Sequence, residues 1–188
     1  KRQVHELKTD EFADLYAEEL KAEGGVISGE QFVDECQVES DLELLLPATY
    51  VTGSSERMLL YRELDSLTLD KDVEDFRTRL IDRFGPIPSE TEELLRIVPL
   101  RRLAARLGAE KVFLKGGRMS LFFVSNPDSP YYQSQAFGKV IAYMMKYTRR
   151  CDLREQNTRR SMLVKDVKNV ETAVSVLQEI VAMQVEEG

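Results

Sequence analysis

"EKVFLKGGRMSLFFVS", residues 110–125, decides how this chain folds. Two adjacent glycines interrupt two runs of alternating apolar residues, and glycine enters the positive-φ turn between antiparallel strands without steric cost. The stretch predicts a hairpin around Gly116-Gly117 with Val112, Leu114, Leu121 and Phe123 on one face. Before it, "LRRLAARLG" predicts a helix stopping at Gly108. After it, "SPYYQSQAFGKVIAYMMKY" predicts a helix burying Phe137, Ile141, Met144 and Met145. "CDLREQ" and "RRSMLVKDV" predict two more short strands, and "NVETAVSVLQEIVAMQV" a closing helix with Val170, Val174, Leu177 and Val181 on one side.

The preceding residues switch between the same two periods. "DECQVESDLELLLP" alternates Cys36, Val38, Ser40, Leu42 and Leu44 against polar residues, as a strand with one wet face does, and Pro47 ends it. "TGSSERMLLYRELDSL" predicts a helix capped at Ser54 or Ser55 that buries Met58, Leu59, Tyr61 and Leu64. "LDKDVEDFRTRLIDRFG" predicts a second, capped by Asp70, with Val73, Phe76, Leu80, Ile81 and Phe84 inward and Gly85 in a left-handed conformation at its end. Pro86 forbids continuation. Ser89 and Glu92 have capping-box spacing for a third helix, which Pro99 should kink or restart. Helices and antiparallel hairpins arrive in blocks, so the fold class expected is α+β: helices packed on short antiparallel strands, with an N-terminal helical arm. The arm, residues 1–32, carries "VHELKTDEFADLYAEELKAEGG"; residues 33–188 form the domain proper.

At 188 residues the chain can bury one substantial core. No run approaches the roughly 18 apolar residues of a membrane span, and Cys36 and Cys151 are expected as free thiols in a reducing cytoplasm. The net charge of -7 opposes generic polyanion binding. The charge is uneven, however: "RRCDLREQNTRRSMLVK" concentrates Arg149, Arg150, Arg154, Arg159 and Arg160. With Tyr147 nearby, these arginines form an alternative site that could contact nucleic acid, although Asp152 and Glu155 dilute it.

Chemistry is scarce. His5 is the only histidine and stands in the acidic arm with no second ligand or nucleophile near it in sequence. Neither G-x-x-x-x-G-K-[ST] nor G-x-G-x-x-G occurs, so no phosphate cradle is expected, and no cofactor or metal. The pairs Asp72 and Asp75, and Glu92 and Glu93, read as solvated helix faces. Cys151 lies among arginines that could lower a thiol pKa, but its strand context favours a small packing residue. The chain is not expected to be an enzyme.

"ERMLLYRELDSL", an acidic spacer, "LIDRFGPIP" and "LLRIVPLRRLAARLGAEKV" together resemble, in order and spacing, the C-terminal module of the bacterial transcription-repair coupling factor. Arg57, Tyr61 and Arg62 match its first helix, and Leu80 to Gly85 its "LIDRFG" motif. "VHELK" resembles the last helix trailing from that family's translocase motor. The resemblance implies a noncatalytic, autoinhibitory module of a cytoplasmic DNA-repair protein, one that as a whole translocates on double-stranded DNA using ATP and displaces stalled RNA polymerase. The module is expected to pack on a UvrB-like module of the same chain and mask its UvrA-binding surface, with no membrane partner. In the family, acids on this helix pair with arginines of the UvrB-like module. Asp82 holds one such position, with Asp75 and Glu74 as neighbours, while Arg79 stands where the family often has Glu, so that contact is lost or reversed.

Overall fold

The Gly116-Gly117 turn joins two inner strands of a five-stranded sheet. The computed structural model describes residues 32–185; the predicted arm and His5 lie outside the described residues, Phe32 excepted. The strands are β1 (Gln37–Ser40), β2 (Ala109–Lys115), β3 (Arg118–Phe123), β4 (Cys151–Gln156) and β5 (Arg159–Val164), in spatial order β1-β2-β3-β5-β4. Among the described residues five α-helices accompany them: α1 (Ser54–Ser66), α2 (Asp70–Phe84), α3 (Ser89–Arg106), α4 (Gln135–Lys146) and α5 (Val170–Val181), with a 3₁₀ turn at Pro130–Gln133. The fold is α+β, and its sheet is antiparallel except for β1, which runs parallel to β2 with Val38 opposite Val112. The strand predicted through Leu44 stops at Ser40, where the Asp41 N–H reaches the Leu114 carbonyl and the Leu42 N–H reaches Ser40 Oγ.

Both hairpins turn on two residues of positive φ. Gly116 and Gly117 stand at +61° and +72°, and Asn157 and Thr158 at +53° and +66°. Only the first pair suits that geometry fully, because a β-branched residue in the left-handed region is strained. Thr158→Gly should therefore stabilise the protein by about 0.5–1 kcal/mol, raising the melting temperature by a few degrees in calorimetry.

Two hydrophobic cores meet along α3. The larger covers one face of the sheet: Val112, Leu114, Met119, Leu121, Phe123, Met162 and Val164 are buried under α3, α4 and α5. The smaller lies among α1, α2 and α3, around Leu60, Leu64, Val73, Phe76, Leu80, Leu95 and Val98. α3 changes allegiance at Pro99. Leu95 and Val98 before it join the helical core, whereas Leu100, Leu103 and Ala104 after it join the sheet core. Pro99 lies inside one continuous 18-residue helix and does not restart it.

The apolar phase of two helices differs from the one expected. In α1, Leu60 and Leu64 are buried and Met58 and Leu59 point to solvent. In α4, Ala136, Val140 and Tyr143 face the core, Phe137, Ile141 and Met144 are half-buried, and Met145 is exposed. Ile81 of α2 is exposed as well. Helix starts differ too: Gly53, Leu69 and Pro88 occupy the caps of α1, α2 and α3, with no side-chain cap bond. The capping box is absent because Ser89 Oγ turns to Glu90 and Glu92 pairs with Arg77 of α2. Glu93 is not a solvated surface acid either. Its carboxylate accepts the Val170 N–H at 2.7 Å and the Glu171 N–H at 3.0 Å, which caps α5 from α3. A negative charge there also meets the positive end of the helix dipole.

Candidate interdomain contact site

α2 turns Val73, Phe76 and Leu80 into the helical core, so its opposite ridge must face solvent. With 3.6 residues per turn, Lys71, Asp75, Thr78 and Asp82 fall on that ridge, with Glu74 beside it. All five are exposed. The end of the helix is fixed by Tyr50, whose hydroxyl donates to the Gly85 carbonyl at 2.8 Å and lies 3.2 Å from that of Leu80. Gly85 takes φ +85° with ψ −162°, so the positive φ expected there is present while the full left-handed helical conformation is not.

The flanks of the ridge are tied to neighbouring helices. Arg79 pairs with Glu63 of α1, and Arg83 with Glu56. The Glu63 carboxylate holds the Arg79 guanidinium above its ordinary pKa, with Asp75 adding to the effect. On the other flank Arg77 joins Glu92 of α3 and reaches Glu74 at 3.5 Å. Glu56 and Glu63 were not expected as part of this site; the ion pairs span 27 and 16 residues, so no local pattern announces them. Asp75 and Asp82 differ from these residues, for among the described residues neither makes a hydrogen bond or ion pair to another side chain. The predicted four thus divide: Asp75 and Asp82 remain available, Glu74 is partly engaged, and Arg79 is committed to α1.

The three residues of the first-helix motif have separate jobs. Arg57 donates to the Val51 carbonyl at 2.7 Å, Tyr61 accepts the Leu46 N–H at 2.7 Å, and Arg62 is exposed. The first two seat the segment before α1 on the helical core.

The arginine hairpin does not gather a cationic face. Arg159 pairs with Glu110 at 3.1 Å over Phe122, while Arg160 lies over Tyr132 and 3.9 Å from Glu155. Arg154 reaches Asp152 at 3.4 Å, and Arg150 donates to the carbonyl of Lys165 at 3.0 Å. Arg149 is exposed. Neighbouring carboxylates thus offset most of the positive charge.

Among the described residues no three His, Cys, Asp or Glu side chains converge as a metal site, and no helix is long and apolar enough to cross a membrane. Cys36 and Cys151 are free and buried. Burial pushes the Cys36 thiol up to about 12, against the lowering influence of Arg101, and it raises Cys151 despite Arg150. Neither has the depressed pKa of a nucleophile.

Comparison with known proteins gives these features a context. The chain is 28% identical over 157 residues to the transcription-repair-coupling factor of Rickettsia bellii, covering 82% of this chain and 13% of that protein. It is 32% identical over 78 residues to the coupling factor of Escherichia coli K12, covering 42% of this chain and 7% of that protein. The chain therefore spans only a small fraction of these relatives' length. A crystal structure of the C-terminal domain of a transcription-repair coupling factor shares the fold, with a TM-score of 0.60 at 16% identity over 78% of this chain and 93% of that one. The TRCF domain family matches residues 40–134, a segment that holds α1, α2, α3 and the central hairpin. That match covers just over half of the sequence, and the chain belongs to the TRCF domain family, the C-terminal domain of transcription-repair coupling factors.

Proposed function

We propose that this domain is a noncatalytic regulatory module of a longer coupling factor, docking through the outer ridge of α2 on a UvrB-like module of the same chain. In that position it masks the surface that binds UvrA until the protein engages stalled RNA polymerase on double-stranded DNA. ATP-driven translocation would belong to the rest of that longer protein. One observation carries this reading: Asp75 and Asp82 stand exposed and make no ion pair within the described residues, on a ridge beside which Arg77, Arg79 and Arg83 are tied to acids of the domain itself. Such carboxylates suit a basic partner surface. Exposed ion pairs contribute only about 0.2–1 kcal/mol each and weaken with salt, which fits an interface that must release.

Asp82→Arg should leave the fold intact and weaken binding of the UvrB-like module to the 188-residue chain several-fold in titration calorimetry, with salt producing a similar loss in the unsubstituted protein. Unchanged affinity would remove the ridge from the interface. Masking has its own readout: deleting this domain from the longer protein should raise UvrA binding, and equal binding with and without it would sink that part of the reading.

A further inference from the structure

The sheet has an outer edge at β4, far in the strand order from the helical core, and β4 pairs with nothing but β5 among the described residues. Asp152 to Gln156 are exposed, and Leu153 is one of the few large apolar side chains that reach solvent, at 39% exposure. Hydrogen-bond parity fixes which backbone groups this edge offers. The two-residue turn joins Gln156 opposite Arg159, the pair that closes such a hairpin with both of its hydrogen bonds. Alternate pairs, Arg154 with Ser161 and Asp152 with Leu163, are then bonded to β5 as well. The Lys165 N–H to Arg150 carbonyl bond, 2.9 Å, continues the same series. The N–H and C=O of Leu153 and Glu155 therefore point away from the sheet. The Cys151 N–H is already given to the Tyr147 carbonyl, at 3.0 Å.

The edge is complementary to itself in one register. Two copies of β4 set antiparallel about Leu153 place Leu153 opposite Leu153, with both of its outward groups bonded across the twofold axis. Asp152 then stands opposite Arg154, and Arg154 opposite Asp152. The Glu155 N–H meets the Cys151 carbonyl, so the spent Cys151 donor is not required. The neighbouring symmetric registers fail: centring on Arg154 opposes two arginines, centring on Asp152 opposes two aspartates, and centring between two residues sets outward backbone groups of one copy against residues of the other whose groups are already bonded to β5. Cross-strand charge pairs stabilise a ladder and like charges directly opposite destabilise it. Within one chain Arg154 already reaches Asp152 at 3.4 Å on the same face, and pairing exchanges that contact for two equivalent ones across the axis.

We infer that the partner of this edge is a second copy of the chain, joined antiparallel through Cys151–Glu155 so that two sheets become one of ten strands. A contact of five residues a side is small, so the dimer is a weak, concentration-dependent one. Sedimentation equilibrium on the 188-residue chain, from micromolar to millimolar, should show reversible monomer–dimer behaviour. Asp152→Arg, which opposes arginine to arginine twice, should weaken it at least roughly tenfold. The double variant Asp152→Arg with Arg154→Asp should bring it back, with circular dichroism showing all three chains folded. A chain that stays monomeric throughout overturns the inference, as does a dimer indifferent to Asp152→Arg or one that the second substitution does not rescue.

Discussion

Gly108→Ala should remove about 4–6 kcal/mol of folding free energy, most of what a domain of this size holds. Two costs combine. Gly108 has φ +84°, where a side chain is strained by about 1–3 kcal/mol. A Cβ built there would stand 2.0 Å from Cε1 and 2.4 Å from Cζ of Tyr131, a fully buried ring. That ring cannot give way cheaply. It packs against Phe32, Phe123, Tyr132 and Phe137, and its hydroxyl donates to the Leu107 carbonyl at the end of α3. Moving it would open the aromatic cluster and leave a buried carbonyl unbonded, itself about 1–3 kcal/mol. The protein contains its own control. Gly85 has nearly the same φ, +85°, yet nothing lies within 4 Å of the Cβ it would acquire. Gly85→Ala should therefore cost only the backbone part, about 1–3 kcal/mol. Urea denaturation of the two variants measures the difference; equal losses would show that the Tyr131 contact is soft.

The same glycine marks what sequence discloses. Its role as a helix stop before a strand was legible, because a glycine after a periodic apolar run ends a helix whatever surrounds it. The ring against it was not, since Tyr131 lies 23 residues on in another element. Strong local chemistry carried the two hairpins, the stop at Gly85-Pro86 and the places of the helices among the described residues. Phase was harder. Met58, Leu59 and Leu60 are consecutive and apolar, so spacing alone cannot choose among them; Tyr61 on Leu46 and Arg57 on Val51 decide, and they turn Leu60 inward. In α4 the inward face uses Ala136 and Tyr143, which carry weaker apolar signals than Ile141 and Met145. The candidate site shows the same division. The exposure of Asp82 followed from helical period, whereas the removal of Arg79 from the ridge depended on Glu63 in a different helix. Capping by Glu93 across 77 residues, and the parallel pairing of β1, likewise arise only from tertiary proximity.

Phe76→Ala should destabilise the protein by about 3–5 kcal/mol, and the loss should be uneven across the fold. Phe76 is 1% exposed at the centre of the helical core, packed with Leu60, Leu64, Val73 and Leu80. It makes no part of the sheet core. Among the described helices and strands only α3 has buried residues in both, and its allegiance changes at Pro99, which has no N–H to bond back along the helix. The smaller core is thus joined to the larger through α3 and the segment that runs from Leu44 to Leu46, while the sheet core keeps the α3–α5 packing and the Glu93 cap on α5. A cavity at Phe76 lowers the cost of opening α1 and α2 first, because that opening exposes few contacts of the sheet. Hydrogen exchange under native conditions should show amides of α1 and α2 losing protection by two to three orders of magnitude, while those of β2, β3 and α5 change little. Uniform loss across both cores would make the domain a single cooperative unit. The functional consequence follows from position: α2 presents Asp82 only while Phe76 holds it against α1 and α3. If α2 docks as proposed, Phe76→Ala should weaken binding to a UvrB-like module more than Asp82→Arg does, and Phe76→Leu, which keeps most of the volume, should preserve it.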